Sequence, residues 1–439
     1  MRDLLLFAII VGSIPFILRR PFIGVLLWCW LSYMNPHRLT WGFMYDFPVA
    51  QVVGLVFILG YAFSKEPKKV PVSQPIVWLF LFYLWMVMTY LVHDKTPFAT
   101  GLAIKIFKIQ LFTLFIFALL NSKERIDQAL WVIAYSLGFY GFKGGIFTIM
   151  TGGSFRVWGP IGTYIEGNNE LGLALLIVIP IFFYLNTVTE NKWLKRMNYL
   201  MIVLCAISVL GTHSRGALLA SMSCAVFLWL KSKKKISLGI LLAFLIPLGL
   251  SFMPQHWWDR MDTIFEEREE DYDLSVQGRL NAWRFAYNIA SDKVFGGGFS
   301  ATNKANWLLY APRQDLFVDS HSIYFQIMGK HGFPGLFLYI MVWLSTWLLG
   351  SKIIKMVKHR QDLQWAGSLS RMLQVSIIAF CTGGTFLGLA YFDLPYHILI
   401  TMAATYAVVQ KELKKHPEVG VSNVSGHRPV RLEANVRQG

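Results

Sequence analysis

Two kinds of residue are scarce in this chain of 439 residues: charged side chains and cysteines. Charged residues make up 15% of the chain and hydrophobic residues 55%, whereas soluble domains carry about 25% charged residues. A soluble core cannot hide so much apolar surface, so a soluble globular protein is excluded. The four cysteines lie in apolar segments without disulfide or zinc spacing, so neither kind of site is expected.

Apolar runs of membrane-spanning length recur along the whole chain. They predict an all-α polytopic membrane protein with about 12 transmembrane helices. The first two runs are short and flank Arg19-Arg20-Pro21, so they form either one broken element or a shallow hairpin. The runs lie near residues 4–18, 22–34, 49–63, 75–92, 100–120, 128–150, 170–187, 198–211, 216–230, 236–252, 322–349, 372–391 and 394–410.

The net charge of +16 comes from basic loops on one side of the membrane. The positive-inside rule assigns these loops to the cytoplasm, which predicts a multi-pass membrane protein with a cytoplasmic C-terminus. Nucleic acid is not an expected partner, because the basic residues are scattered and form no binding module. The basic groups are Lys65, Lys68 and Lys69; Lys192, Lys195 and Arg196; Lys231, Lys233, Lys234 and Lys235; Lys352, Lys355, Lys358 and Arg360; and Lys411, Lys414 and Lys415.

The same pattern divides the chain into four parts. The long loop falls on the outer side of the membrane, is acidic, and shows helical spacing near 255–270 and 278–291. The polar end of the chain is expected to be disordered. The predicted parts are 1–252, transmembrane helices with short loops; 253–320, a periplasmic loop domain; 321–410, C-terminal transmembrane helices; and 411–439, a cytoplasmic tail.

The most informative motif, 318–325, stands where the long polar loop meets the next apolar run. Ionisable side chains at such a border are costly and usually functional. We expect Asp319 or Ser320 to cap the following helix, whose N-terminus favours the neutral, basic form of His321. Asp319 could instead hold the imidazole ring by a hydrogen bond. His321 is therefore either a catalytic base or a satisfied histidine at the membrane interface.

Two arginines are predicted to lie on the same side of the membrane as His321. Arg215, next to Ser214 at the end of a span, can offer a bidentate fork to a phosphate. The alternative is an arginine that contacts lipid headgroups without specificity. Arg279 and Trp283 share a helical face, which suits a sugar phosphate, unless they are a surface arginine and a packed tryptophan. The three ionisable residues together indicate transfer from a diphosphate.

Further candidates for substrate binding lie in two other segments. Lys105 and Lys108 share a helical face within a predicted span, where cations favour an anionic ligand. Snorkelling toward the membrane surface explains them equally well. The glycine-rich stretch 151–169 is an external loop between two spans. Its candidates are Arg156, Asn168 and Asn169.

Four motifs follow one another in a fixed order along the chain. They are Gly167-Asn168-Asn169-Glu170-Leu171, Ser214-Arg215-Gly216-Ala217, Gly278-Arg279-x-x-x-Trp283, and His321-Ser322 followed by Gly332-Phe333-Pro334-Gly335. In this order and topology the chain resembles the O-antigen ligase and O-antigen polymerase superfamily. Its N-terminal part, with Arg20-Pro21, Trp28 and Asn35-Pro36, is similar to the O-glycosylation ligases associated with exosortase systems. The pair Lys330-His331 departs from the family's pattern.

The resemblance implies a GT-C-type glycosyltransferase that needs no metal or other cofactor. Its donor would be a glycan on undecaprenyl diphosphate and its acceptor a sugar of lipid A-core, both held among membrane lipids. His321 would be the base, and Arg215 and Arg279 would stabilise the leaving diphosphate. An O-antigen polymerase and a protein O-oligosaccharyltransferase stay open as alternatives. A transporter of lipid-linked glycans is less favoured, because no internal repeat is present.

Overall fold

The computed structural model describes residues 1–66, 71–232, 235–262 and 274–415. Within these ranges the chain forms α-helices joined by loops and two short 3-10 turns, with no β-strand. The helices are α1 (Arg2–Arg19), α2 (Pro21–Met34), α3 (Val49–Phe63), α4 (Gln74–Val92), α5 (Pro97–Leu119), α6 (Lys123–Met150), α7 (Asn168–Val188), α8 (Lys192–Gly211), α9 (Arg215–Lys231), α10 (Lys235–Ser251), α11 (Gln255–Asp262), α12 (Leu274–Asp292), α13 (Lys304–Tyr310), α14 (Ile323–Met356), α15 (Gln364–Gly384) and α16 (Asp393–Lys415).

The predicted class, an all-helical polytopic membrane protein, is confirmed. In the described part of the chain, six helices are long and apolar enough to cross a membrane, namely α4 to α8 and α14. Two shorter apolar helices, α2 and α3, accompany them. The predicted count of about 12 spans stays a prediction, since length and composition support fewer. Helix α7 is buried along most of its length and packs against α6, α8, α9 and α15.

The first two apolar segments form a helical hairpin. Helix α1 ends before Arg20, and Pro21 opens α2 at a position where its missing N–H costs no hydrogen bond. The carboxylate of Asp3, at the start of α1, accepts hydrogen bonds from the N–H groups of Gly42 and Met44, at 3.1 and 3.2 Å. The start of α1 therefore lies beside the segment that follows α2. Of the two alternatives, the hairpin is the one that forms.

One predicted span is displaced. Apolarity placed a helix over 372–391, whereas α15 begins at Gln364 and ends at Gly384. Residues 364–371 extend this helix at its start, and residues 385–392, most of them buried, form a loop. Hydropathy reports burial more directly than it reports helix boundaries. The 385–392 loop is the element on which the candidate site is built.

The segment between α10 and α14 holds three described helices. The predicted helix over 278–291 is confirmed as α12, which begins four residues earlier than expected. Helix α11 begins at the predicted residue 255, and α13, with a buried Trp307, was not predicted. Several other sequence predictions concern residues outside the described ranges. They are the rest of the first loop helix, the acidic stretch 266–273, the basic residues Lys68, Lys69, Lys233 and Lys234, and the tail from residue 416.

Candidate functional site

The turn before α9 holds Arg215 at the first helical position. The preceding residue, Ser214, is the N-cap, and its Oγ accepts a hydrogen bond from the N–H of Ala217 at 3.1 Å. His213 has left-handed backbone, with φ of 52°, and its Nε2 donates to the carbonyl of Gly153 at 2.8 Å. Such backbone is uncommon for a non-glycine residue and marks a turn that its surroundings hold in place.

Two further contacts tie the 151–169 segment to this turn. The buried Asn168 amide donates to the carbonyl of Thr212 at 2.7 Å. The N–H of Val157 donates to the carbonyl of Gly211 at 2.9 Å, which leaves the exposed Arg156 next to the same turn. Asn168 thus holds the turn that carries Arg215, and its predicted contact with substrate stays a prediction.

The turn before α14 resembles the turn before α9, because in each a left-handed histidine precedes a serine at the N-cap position. His321 is exposed and left-handed, with φ of 42°, and Ser322 is the N-cap of a helix that begins at Ile323. The prediction that Asp319 or Ser320 caps this helix is therefore wrong. The Asp319 carboxylate instead accepts from the N–H of Ser320 at 2.9 Å. No hydrogen bond holds the His321 ring among the described residues, and the buried Ser322 Oγ also lacks a partner there.

Helix α12 lies against this second turn through Trp283. Its indole N–H donates to the carbonyl of Ser320 at 2.8 Å. Its ring stacks on Phe325 of α14, with centroids 4.7 Å apart and planes 7° from parallel. Arg279 is half-buried one helical turn earlier on α12, and residues four apart share a face. The predicted pair therefore lies beside the His321 turn.

Asn281 also fixes α12 on the segment that leads to His321, and sequence reasoning missed it. Its buried side chain donates to the carbonyls of Arg313 and Leu316, at 2.7 and 3.2 Å, and accepts from the N–H of Arg313 at 2.8 Å. A Cβ on Gly278 would lie 3.2 Å from Val318, so this glycine allows close approach. The only feature of the sequence that could have indicated Asn281 is its position between Arg279 and Trp283.

The end of α15 lies between the first turns of α9 and α14. A Cβ on Gly383 would lie 3.2 Å from Ala220 of α9, and a Cβ on Gly384 would lie 2.6 Å from Ile323 of α14. The two glycines therefore let both helices pack closely against α15. Because α9 and α14 both begin here, Arg215 and His321 lie at the same end of the helix bundle, called the site end below.

The 385–392 loop connects these two turns. A Cβ on Gly216 would lie 3.2 Å from the side chain of Phe386, and a Cβ on Gly388 would lie 3.3 Å from the carboxylate of Asp319. One end of the loop thus touches the Arg215 turn and its middle touches the His321 turn. The sequence could not reveal this function of the loop, because its apolar residues resemble part of a span.

Polar contacts continue from the loop into α14. The N–H of Ala390 donates to the Gln326 side chain at 3.1 Å. The hydroxyl of Tyr391 is joined by a hydrogen bond of 2.7 Å to the buried His331, and the ammonium of Lys330 lies 5.5 Å from the Tyr391 ring centre. Lys330 is also within electrostatic range of Asp319. The unexpected Lys330-His331 pair therefore faces the loop and an acid of the site, and Nδ1 of His331 has no hydrogen-bond partner among the described residues.

The far end of the loop brings Lys105 to the site end. Tyr164 packs on Phe392 at 6.1 Å between centroids, and the Lys105 ammonium lies 4.3 Å from the Tyr164 ring centre. Burial, with a further contribution from Asp393, raises the pKa of Tyr164, so its hydroxyl stays protonated. Asp393 is buried within electrostatic range of Lys105. Sequence reasoning missed Asp393 because one acid at the start of an apolar run resembles a helix cap.

Two further candidates stay at the margin of this arrangement. Lys108 is exposed one helical turn beyond Lys105 and forms no ion pair with the described residues. Asn169 is half-buried beside Asn168 at the start of α7. A small open cleft lies between α12 and α14 and shares Asp319 with the site. Its other polar lining residues are Thr302, Ser320, Gln326 and Lys330.

Comparison with known families identifies the part of the chain that carries most of these residues. Residues 200–340 match the family model described as O-antigen ligase. The chain therefore carries an O-antigen ligase domain, consistent with a member of that superfamily. Residues 1–190 match a second model, a family of unknown function, DUF5935. No curated protein matches the chain significantly.

The O-antigen ligase domain contains the three residues predicted to be catalytic, Arg215, Arg279 and His321. The N-terminal region that matches the second family contributes Lys105, Arg156 and Asn168. The 385–392 loop lies beyond both matched regions. The site end is thus assembled from both matched regions and from a C-terminal segment that neither one covers.

Proposed function

We propose that this protein is an O-antigen ligase that transfers a glycan from undecaprenyl diphosphate to a sugar hydroxyl of lipid A-core. One observation supports this proposal above the others: the Arg215 turn and the His321 turn flank the end of α15, and the 385–392 loop touches both. Helix α12, which carries Arg279, is fastened to the His321 turn by Trp283. Two guanidinium groups and an unengaged imidazole are the groups that transfer from a diphosphate requires.

The arginines would act on the leaving group. As the bond between the anomeric carbon and the diphosphate oxygen breaks, negative charge grows on the diphosphate, and fixed guanidinium groups stabilise that charge without reorganisation. Arg215 stands at the N-terminus of α9, where backbone N–H groups and the helix dipole add to the positive potential. We place the donor diphosphate here, with Lys105 on the opposite side of the loop. No metal is needed in this scheme, because the cationic side chains neutralise the charge.

His321 would act on the acceptor. Its exposed ring, free of hydrogen bonds to the described residues, can accept the proton of a sugar hydroxyl as that oxygen attacks the anomeric carbon. The new glycosidic bond forms as the bond to the diphosphate breaks, the proton passes to His321, and undecaprenyl diphosphate leaves. A single direct displacement inverts the anomeric carbon.

Membrane placement follows from the same proposal. The site end would face the periplasm of a bacterial inner membrane, with the C-terminus in the cytoplasm, as the basic loops predict. The lipid tails of donor and acceptor would lie among membrane lipids beside helices of the GT-C type. The sugars would then meet between α12 and the 385–392 loop.

The test uses the purified full-length protein in lipid nanodiscs, with a glycan on undecaprenyl diphosphate as donor and lipid A-core as acceptor. His321→Ala should lower the transfer rate by about 10²–10⁴-fold, the usual contribution of a general base. Arg215→Ala should lower it by about 10²–10³-fold, as removal of one anion stabiliser does. Matched controls are His359→Ala and Arg196→Ala, two exposed residues away from the site end, which should retain the wild-type rate.

Replacing the acceptor distinguishes a ligase from the two alternative enzymes. Transfer to a second carrier-linked glycan in place of lipid A-core would identify a polymerase, and transfer to a serine or threonine peptide would identify a protein O-oligosaccharyltransferase. Full activity of His321→Ala would refute the assignment of the base. In a deletion strain, Arg215→Ala should leave long chains on the carrier and no ladder on lipopolysaccharide.

A further inference from the structure

Helix α14 is interrupted close to the site by a glycine turn from the loop segment. At Gly332, φ is 70° and ψ is −177°, a combination that is essentially restricted to glycine. The interruption frees two backbone carbonyls of α14, those of Gly329 and Lys330. They accept hydrogen bonds from the N–H groups of Gly297 and Gly298, at 2.8 and 3.0 Å. The glycine turn, residues 296–298, therefore docks into the interruption and follows directly on α12.

His93, at the end of α4, fastens this turn to the bundle. Its Nδ1 is 2.9 Å from the carbonyl oxygen of Thr89, and its Nε2 is 2.9 Å from the carbonyl oxygen of Gly296. The ring lies so close that a Cβ on Gly298 would come within 2.8 Å of it. A carbonyl oxygen can only accept a hydrogen bond. Both bonds form together only when both ring nitrogens carry a proton, that is, in the imidazolium form.

We propose that charged His93 is a positioning residue that fixes the glycine turn, and with it α12, on the membrane bundle. When the imidazolium loses a proton, one of its two nitrogens becomes an acceptor that faces a carbonyl oxygen, so one bond is lost. The turn then loosens at the C-terminal end of α12, the helix that carries Arg279 and Trp283. Loop docking should therefore weaken as the pH rises.

The surroundings of His93 include charges of both signs. The C-terminus of α4 stabilises the His93 imidazolium through the helix dipole. The exposed Asp94, next in the chain, also stabilises it. Unfavourable are Lys95 beside it and Lys293 at the end of α12. On α14, Lys330 adds positive charge. His331, within electrostatic range, is bonded to Tyr391 through Nε2.

The test measures hydrogen exchange of the 293–300 segment in the full-length protein in nanodiscs. After correction for the intrinsic effect of pH on exchange, the wild-type segment should exchange about tenfold faster at about pH 8 than at about pH 6, as loss of one charge-assisted hydrogen bond predicts. His93→Gln should exchange equally at both pH values, because a glutamine amide does not titrate. His359→Gln, an exposed histidine at the other end of α14, should behave like the wild type.

The inference on transfer rests on the proposed function, whereas the exchange measurement does not. If the protein is a ligase, the donor KM of the wild type should rise with pH and that of His93→Gln should stay constant. Equal corrected exchange of the wild type at both pH values would overturn the proposal, as would a retained pH dependence in His93→Gln. A pH-dependent exchange without transfer activity would refute the proposed function alone.

Discussion

Trp283 offers the sharpest test of how α12 positions the candidate base. Its side chain makes two separable contacts with the His321 turn: the indole N–H bond to the Ser320 carbonyl and the stack on Phe325. Trp283→Phe removes the hydrogen bond and keeps an aromatic ring on Phe325. Trp283→Ala removes both contacts. Trp283→Phe therefore measures the hydrogen bond, and the difference between the two variants measures the stack.

The expected magnitudes follow from these contacts. A neutral hydrogen bond contributes about 1 kcal/mol net, and a stacked aromatic pair about 1 kcal/mol beyond its buried area. If these contacts hold the turn in its active position, Trp283→Phe should lower kcat/KM about fivefold. Trp283→Ala loses about 2 kcal/mol, which corresponds to about 30-fold.

The assay is transfer by purified protein in nanodiscs, with the melting temperature measured on the same samples. Trp193→Phe is the control, because this tryptophan is 72% exposed and lies on α8 outside the site. Unchanged kcat/KM in Trp283→Phe, with Trp283→Ala altering only the melting temperature, would refute the positioning argument. It would show that α12 stabilises the fold without placing His321.

Two further predictions concern the backbone of the site. Gly332→Ala should destabilise the protein by about 3 kcal/mol or more, because its φ of 70° is costly for alanine and the new Cβ would lie 1.9 Å from the carbonyl oxygen of Val294; thermal unfolding measures the loss. Asn168→Ala should lower stability by about 1–3 kcal/mol, because the buried bond to the Thr212 carbonyl is lost. It should also lower transfer, because the turn that carries Arg215 is released.

Each of these variants has a matched control in the chain. Gly101→Ala adds a methyl group on α5 where no other group lies within 4 Å, so its melting temperature should stay equal or rise slightly. Asn121→Ala, between α5 and α6, removes an amide that makes no hydrogen bond with the described residues. A Gly332→Ala protein as stable as Gly101→Ala would contradict the close contact with Val294. Asn168→Ala with wild-type stability and activity would show that the turn is held by other contacts.

Local sequence patterns predicted the helices but not the surfaces that meet. The helix over 278–291 was found from its spacing, because one helical face repeats within the segment itself. The cap of α14 was misplaced, because Asp319, Ser320 and Ser322 all have the chemistry of an N-cap and only the packed turn selects Ser322. The 385–392 loop was predicted to be helix because most of its residues are apolar. These residues pack in the interior without forming a helix.

The sequence by itself determined the helical membrane class of this protein and its O-antigen ligase domain, and it predicted three ionisable residues suited to diphosphate chemistry. These properties reside in composition and in short motifs, which need no information about distant segments. Only the tertiary structure decided which distant residues share the site. It brought the 385–392 loop between Arg215 and His321, placed Asp393 near Lys105, and docked the glycine turn at His93. Contacts between residues hundreds of positions apart depend on how helices pack, and no local pattern encodes that packing.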